Sequence, residues 1–242
     1  MPSGSQFSVA IVAALEREVW PLVKNWKVSL KPYEGKQFKV FENAETVLVC
    51  GGIGAEHARR ATEAIIKLYR PELIISAGFA GALQPDIRVG QPLTPRWVVN
   101  AKDGSRSDTK IGEGILITAD SVASTVQKRK LADAYGAQAV DMEAAAVARG
   151  AQIHGVRFAA CKAISDSLDF QMPPMQCFID IQGQFQTAKF AVYVSVRPWL
   201  WKSVLQLARN SATASRALCR ALAVNDFRES AVSAAASNRS NS

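Results

Sequence analysis

Apolar residues along this chain fall in short runs separated by stretches with helical spacing. The runs at 7–14, 47–50, 73–77, 97–99, 115–118 and 158–164 are rich in Val, Ile and Leu and predict strands. Between them, 16–26, 55–69, 122–135 and 143–154 space their apolar residues three or four apart, which predicts amphipathic helices. This alternation predicts an α/β fold, with a mixed, largely parallel central sheet flanked by helices. In such sheets ligands bind beyond the carboxyl ends of the strands, so the residues just after each apolar run are where chemistry is sought.

Four strand ends stand out. Ala14-Leu15-Glu16-Arg17-Glu18 follows the first run, and Cys50-Gly51-Gly52-Ile53-Gly54 forms a glycine turn that opens a helix. Ala77-Gly78-Phe79-Ala80-Gly81-Ala82 reads as a second glycine-rich turn, and Lys162-Ala163-Ile164-Ser165-Asp166 ends in a carboxylate. Past Phe170 the pattern changes. Pro173-Pro174 breaks the chain, 185–196 predicts a helix, and Pro198 suits the first turn of another that runs to about Val224. These features predict one domain over 1–228, with a core at 7–170 and a helical C-terminal part at 171–228. The small, polar residues 229–242 predict a disordered tail.

The last helix carries Leu200, Val204, Leu207, Ala208, Leu218 and Leu222 among Lys202, Arg209, Arg216 and Arg220. Two readings fit: a docking helix with a solvated basic face, or a peripheral contact with an anionic membrane aided by Trp199 and Trp201. At 242 residues and 48% hydrophobic, the chain is long and apolar enough for a full core. The net charge of +8 invites a nucleic-acid reading. No zinc-finger spacing, RNA-binding aromatic signature or long basic run accompanies it, which points to a solvated basic surface or an anionic small partner instead. Cys50, Cys161, Cys177 and Cys219 form no C-x-x-C pair, and the N-terminal apolar stretch is too short for a membrane span. Reduced thiols in a cytoplasmic protein are expected, with no metal or organic cofactor.

Taken singly, the candidate carboxylates are ambiguous. Asp166 is either a buried acid with a raised pKa or the N-cap of the next turn. Glu143 is either a ligand group or a favourable charge at a helix start, and Glu18 is either functional or a first-turn surface residue. His57 and His154 fall on helical segments and read as surface or packing residues.

The combination is more specific. Asp141-Met142-Glu143-Ala144-Ala145-Ala146 followed by Lys162-Ala163-Ile164-Ser165-Asp166 closely resembles the signature of the nucleoside phosphorylase superfamily, and within it the methylthioadenosine/S-adenosylhomocysteine nucleosidases. The resemblance spans about 7–169 and includes Ala-Ala-Leu-Glu-Arg-Glu, Gly-Gly-Ile-Gly, Gly-Phe-Ala-Gly and Val89-Gly90. It implies cleavage of the N-glycosidic bond of an adenine nucleoside, with release of the purine. On this resemblance Asp166 protonates or hydrogen-bonds N7 of the leaving base, with Ser165 beside it. Glu143 grips the ribose hydroxyls, Met142 lies against the sugar, and Glu18 orients and deprotonates water. Ala80 and Gly81 line the sugar side, and the backbone at Val122 and Ala123 reads the base edge.

Water and phosphate compete as nucleophile. Phosphate sites use arginines and hydroxyls, whereas here the first strand end carries Glu16 and Glu18, which favours hydrolysis. The chain departs from the family pattern at Phe79, where a small or hydroxyl residue is usual, and at Lys162, which replaces an arginine; the resemblance implies that both contact the substrate. The interval between Gly81 and Asp141 is also short, which opens the 5′ side to a bulky group. The run from Asp180 through Arg197-Pro198-Trp199-Leu200 is similar to the tail of hopanoid-associated phosphorylases, implying an adenosylated polycyclic lipid as an alternative substrate. A phosphate-dependent phosphorylase and a catalytically dead nucleoside-binding module remain the other readings. The family also implies a homo-oligomer.

Overall fold

The computed structural model describes residues 7–223. The expectations for the chain beyond Ala223, including the tail at 229–242, lie outside the described residues. Strands β1 (Val9–Ala13), β4 (Thr46–Cys50), β5 (Leu73–Ala82) and β11 (Arg157–Asp166) form the parallel heart of a mixed sheet. Their side chains are almost wholly buried because helices cover the sheet, so the runs are continuous rather than alternating. From β4 the sheet continues through β3 (Lys36–Asn43) to β2 (Lys27–Tyr33), and from β5 through β10 (Ala139–Asp141), β9 (Ile115–Thr118) and β7 (Trp97–Asn100) to β8 (Arg106–Asp108), with β11 paired to β5 and β6 (Pro92–Leu93).

The outer parts are built differently. β2 (Lys27–Tyr33) and β3 (Lys36–Asn43) form an antiparallel hairpin on one flank, and β3 pairs antiparallel with β4. On the other side β7 (Trp97–Asn100), β9 (Ile115–Thr118) and β10 (Ala139–Asp141) run parallel, with β8 (Arg106–Asp108) antiparallel at the margin. β6 (Pro92–Leu93) is a short antiparallel addition to β11. The hairpin was absent from the sequence-based expectation because β2 is mostly exposed and carries Lys and Ser among its apolar residues.

Helices α1 (Glu16–Val23), α2 (Ala55–Tyr69), α3 (Thr125–Tyr135) and α4 (Ala144–Ile153) match the predicted segments, with α2 agreeing at both ends. α3 begins three residues later than its periodicity implied, because Ser124 and Gln127 form a capping box that sets the first turn. Val122 and Ala123 therefore lie in extended chain ahead of the helix.

One expectation needs correcting. Ala77–Ala82 is not a turn. β5 continues through Gly78 and Gly81 because β11 pairs with it along its length. β1 stops at Ala13 while β5 runs on to Ala82, where β10 joins it antiparallel. The chain leaving β1 thus lies beside the extended half of β5, and a cavity opens there.

The C-terminal part packs back on this region. α5 (Thr187–Ser195) and the long α6 (Pro198–Ala223) follow a one-turn 3-10 segment at Gln176–Phe178. Ala214 and Leu218 of α6 join Val19, Val23 and Cys161 in one core cluster. Ser215 Oγ donates to the carbonyl of Arg17 at 3.2 Å, so α6 braces the segment that carries Glu18.

Candidate active site

A cavity of about 470 Å³ opens at the carboxyl end of β1, between β5, β10, β11 and the C-terminal helices. Glu18, Phe79, Ala80, Gly81, Val122, Ala123, Met142, Glu143, Ser165 and Asp166 all line it. Five separate stretches of sequence therefore converge on one wall system.

Each side chain is placed by a local cause. Glu18 sits in the first turn of α1, where its carboxylate takes the N–H of Leu15 at 3.4 Å and serves the unsatisfied helix start. It is nonetheless buried, 7% exposed, so the surface reading does not hold. A Cβ on Gly78 would stand 3.2 Å from Glu18 Oε2, so the glycine gives this carboxylate its room. Asp166 lies in β11 rather than at a helix start. The pairing of β11 with β5 slips at Ser165, so that Ile164 faces Ala80 and Asp166 faces Gly81. Such a bulge re-aims a side chain, here towards the cavity.

Glu143 stands at the N-cap position of α4, but its side chain does not cap the helix. Asp141 Oδ2 accepts the N–H of Ala144 at 2.9 Å, and Asp141 Oδ1 accepts from Thr118 Oγ1 at 2.7 Å. Glu143 is left to point elsewhere, and its Oε1 accepts the N–H of Gly54 at 2.8 Å. The glycine turn after β4 is thus a backbone clamp on Glu143. Gly54 holds φ at +99°, a conformation that side-chain-bearing residues rarely adopt.

Lys162 does not line the cavity, which corrects its placement as a substrate contact. Its Nζ lies 2.8 Å from Asp141 Oδ2 and 3.1 Å from Ser76 Oγ, and the residue is 1% exposed. It is a buried counter-charge behind the carboxylates. Burial opposes its ammonium, but Asp141, Glu143 and Glu18 outweigh that and raise its pKa. Glu143 is pushed up to about 7, by burial first and by Asp141 second, against the pull of Lys162 and the Gly54 N–H. Glu18 is also raised by burial, with Arg17 and Lys162 opposing. The two glutamates repel one another.

The sequence reading missed Lys128. It sits in the first turn of α3, is 3% exposed, and forms a buried ion pair with Asp166 Oδ2. Asp166 Oδ1 accepts from Ser165 Oγ at 2.7 Å. Asp166 is therefore neither a helix N-cap nor a buried acid without a partner. Within Gln127-Lys128-Arg129-Lys130 nothing marks the basic residue that turns inward, except that a lysine is out of place at the positive end of a helix.

The remaining walls come from the C-terminal part, whose individual wall residues the sequence did not mark. Met172, Met175, Ile179, Phe185, Phe190 and Leu207 extend the cavity outward as an apolar channel. Phe190 is held by edge contacts with Phe178 and Phe185 at centroid distances of 5.2 and 5.3 Å. The expected open side is thus walled by α5 and α6.

The sequence profile of the Phosphorylase superfamily matches residues 7–113 and 92–189, and the chain belongs to this superfamily. It is 26% identical over 196 residues to the 5′-methylthioadenosine/S-adenosylhomocysteine nucleosidase of Staphylococcus aureus (strain MRSA252), covering 65% of this chain and 86% of that one. Among solved structures it resembles the futalosine hydrolase of Helicobacter pylori strain 26695, with a TM-score of 0.62, 20% identity, and coverage of 88% and 96% of the two chains. The Neisseria meningitidis 5′-methylthioadenosine/S-adenosylhomocysteine nucleosidase, solved with methylthio-immucillin-A, gives a TM-score of 0.65 at 20% identity, covering 87% and 94%. These structures share the fold.

Proposed function

We propose that this protein is an N-glycosyl hydrolase that releases adenine from a 5′-substituted adenine nucleoside. The observation that carries the reading is the convergence of Glu18, Glu143 and Asp166 on one cavity at the carboxyl end of β1. Glu143, fixed by the Gly54 N–H, is placed to take the ribose hydroxyls. Glu18 is the base for water, and its carboxylate beside Glu143 would repel an anionic nucleophile. Asp166 and Lys128 face the leaving base, with Val122 and Ala123 on its edge. Among relatives, the named nucleosidases support water as nucleophile.

The channel supports a bulky, apolar 5′ substituent. Its aliphatic, thioether and aromatic walls offer an extended lipid-like group as much contact as they offer a methylthio or homocysteinyl arm. This is the feature that keeps an adenosylated polycyclic lipid in view. Incubating the protein with 5′-methylthioadenosine, S-adenosylhomocysteine and adenosylhopane, and following adenine, tests the reading. Adenine release that is lost in Asp166→Asn and Glu143→Gln supports it. Release that survives unchanged in both would place the chemistry elsewhere, and tight nucleoside binding without turnover would favour a binding module.

We further propose that 1–228 acts as one domain, since α6 completes both the core and the cavity, and that it works in the cytoplasm at a membrane face. No helix among the described residues is long and apolar enough to cross a membrane. Val192 of α5, Val196 just after it, and Trp199, Trp201 and Leu205 of α6 are exposed. Residues 181–223 contain six Lys or Arg and no Asp or Glu, a balance suited to anionic lipid. Co-sedimentation with phosphatidylserine vesicles but not with phosphatidylcholine vesicles supports this. A dimeric mass that is lost in Trp199→Ser would assign the same residues to a second copy of the chain instead.

A further inference from the structure

Lys128 is a buried cation on the base side of the cavity, and nothing in the hydrolase reading above gives it work. Its ammonium has three hydrogens to donate. One goes to Asp166 Oδ2 and one to the carbonyl of Ser167 at 2.7 Å. The third has no acceptor among the described residues, and Lys128 is on the cavity wall. Asp166 is in the complementary position. Its two oxygens accept from Lys128 and Ser165, yet a carboxylate has further lone pairs to offer. The wall thus presents a donor and an acceptor side by side.

The packing around the pair shows that the arrangement is specific. Gly81 lies directly opposite Asp166 in the sheet. A Cβ there would meet Asp166 Oδ2 at 2.8 Å and Lys128 Cε at 3.1 Å. A side chain there would have to displace the ends of both partners. Ser124, in turn, caps α3 and fixes the helical turn from which Lys128 reaches inward.

The major-groove edge of adenine carries the matching pattern: N7 accepts and the 6-amino group donates. A 6-oxopurine shows two acceptors there and would set O6 against the Asp166 carboxylate. Resting on the nucleosidase reading, we propose that Lys128, rather than Asp166 as the resemblance implies, is the catalytic donor to N7 of the leaving adenine, while Asp166 accepts from the 6-amino group and holds the lysine in line. As the C1′–N9 bond breaks, its electron pair passes into the base and a proton moves from Lys128 Nζ to N7, so neutral adenine departs. Water forms the new bond to C1′ and gives its proton to Glu18. Glu18 then loses that proton to solvent, and Lys128 regains one from solvent, which balances the cycle.

The test compares two leaving groups. Adenine needs protonation to depart, whereas 4-nitrophenolate does not. Lys128→Met should lower kcat for adenine release from 5′-methylthioadenosine by roughly 10²–10⁴-fold. Its cleavage of the corresponding 4-nitrophenyl 5-methylthioriboside should fall by less than about tenfold, because only the donor has been removed. Lys128→Arg, which keeps a donor but not its reach, should recover part of the loss on adenine. Equal losses on both substrates would overturn the proposal by showing that Lys128 only holds the site together, and an undiminished rate on adenine would overturn it outright. A parent protein that cleaves the nitrophenyl riboside but releases no adenine would overturn this inference and leave glycoside hydrolysis standing. A parent inactive on both substrates would remove the nucleosidase reading and this inference with it.

Discussion

Lys162 Nζ and Asp141 Oδ2 stand 2.8 Å apart with side chains that are 1% and 0% exposed, making a buried ion pair directly behind the candidate catalytic carboxylates. Asp141 also caps α4 and accepts from Thr118, so one carboxylate ties together β9, β10, β11 and α4. Removing one partner of such a pair leaves a charge without compensation in a dry interior. Lys162→Met should therefore destabilise the protein by ~3–5 kcal/mol. Urea unfolding followed by circular dichroism measures this, and a change under about 1 kcal/mol, the range of exposed pairs, would show that the pair is hydrated.

A pH signature follows from Glu143. Its carboxyl is held at about 7 in the folded protein, against an ordinary value of 4.5. Between these values the folded state binds more protons than the unfolded one, so stability falls as pH rises. The penalty is absent below the lower value and complete above the upper one. Glu143→Gln keeps an acceptor for Gly54 but has nothing to ionise. Its melting temperature relative to the parent should rise between pH 5 and pH 8, and a constant difference across that range would contradict the account.

Gly81 should be intolerant of even one methyl group. Gly81→Ala would drive a Cβ into the Asp166–Lys128 pair. Overpacking of this kind costs about 1–3 kcal/mol, and adenine release should fall more than stability explains. A fully active Gly81→Ala protein would mean that the pair is displaced during turnover.

The channel makes a separable prediction. Ala208 of α6 lies on its wall. Ala208→Trp should raise KM for substrates with long 5′ groups by roughly tenfold or more, with a smaller rise for 5′-methylthioadenosine. An equal effect on both would place the 5′ group elsewhere.

How much of this was legible in the sequence depends on what each residue needed. α2 was read correctly at both ends because its apolar spacing is regular and glycine precedes it. The carboxylates Glu18, Glu143 and Asp166 were legible as a set through their motif, and they share one cavity. The continuation of β5 was hidden because Gly78 and Gly81 look like turn residues until β11 is seen beside them. Lys162 looked like a contact because it belongs to the motif, yet its position in β11 turns it away from the cavity towards Asp141 and Ser76. Lys128 and the channel were illegible for another reason. Both depend on long-range packing, α3 against β11 and α6 against α1, which no local pattern encodes.

The central claim is that water, set by Glu18, cleaves the bond to adenine. Adenine release from 5′-methylthioadenosine, measured in phosphate-free buffer and again with added phosphate, tests it most directly. The account predicts equal rates in the two buffers, a free sugar as coproduct, and loss of at least about 10²-fold in Glu18→Gln. Release that requires phosphate and yields a sugar 1-phosphate would contradict it.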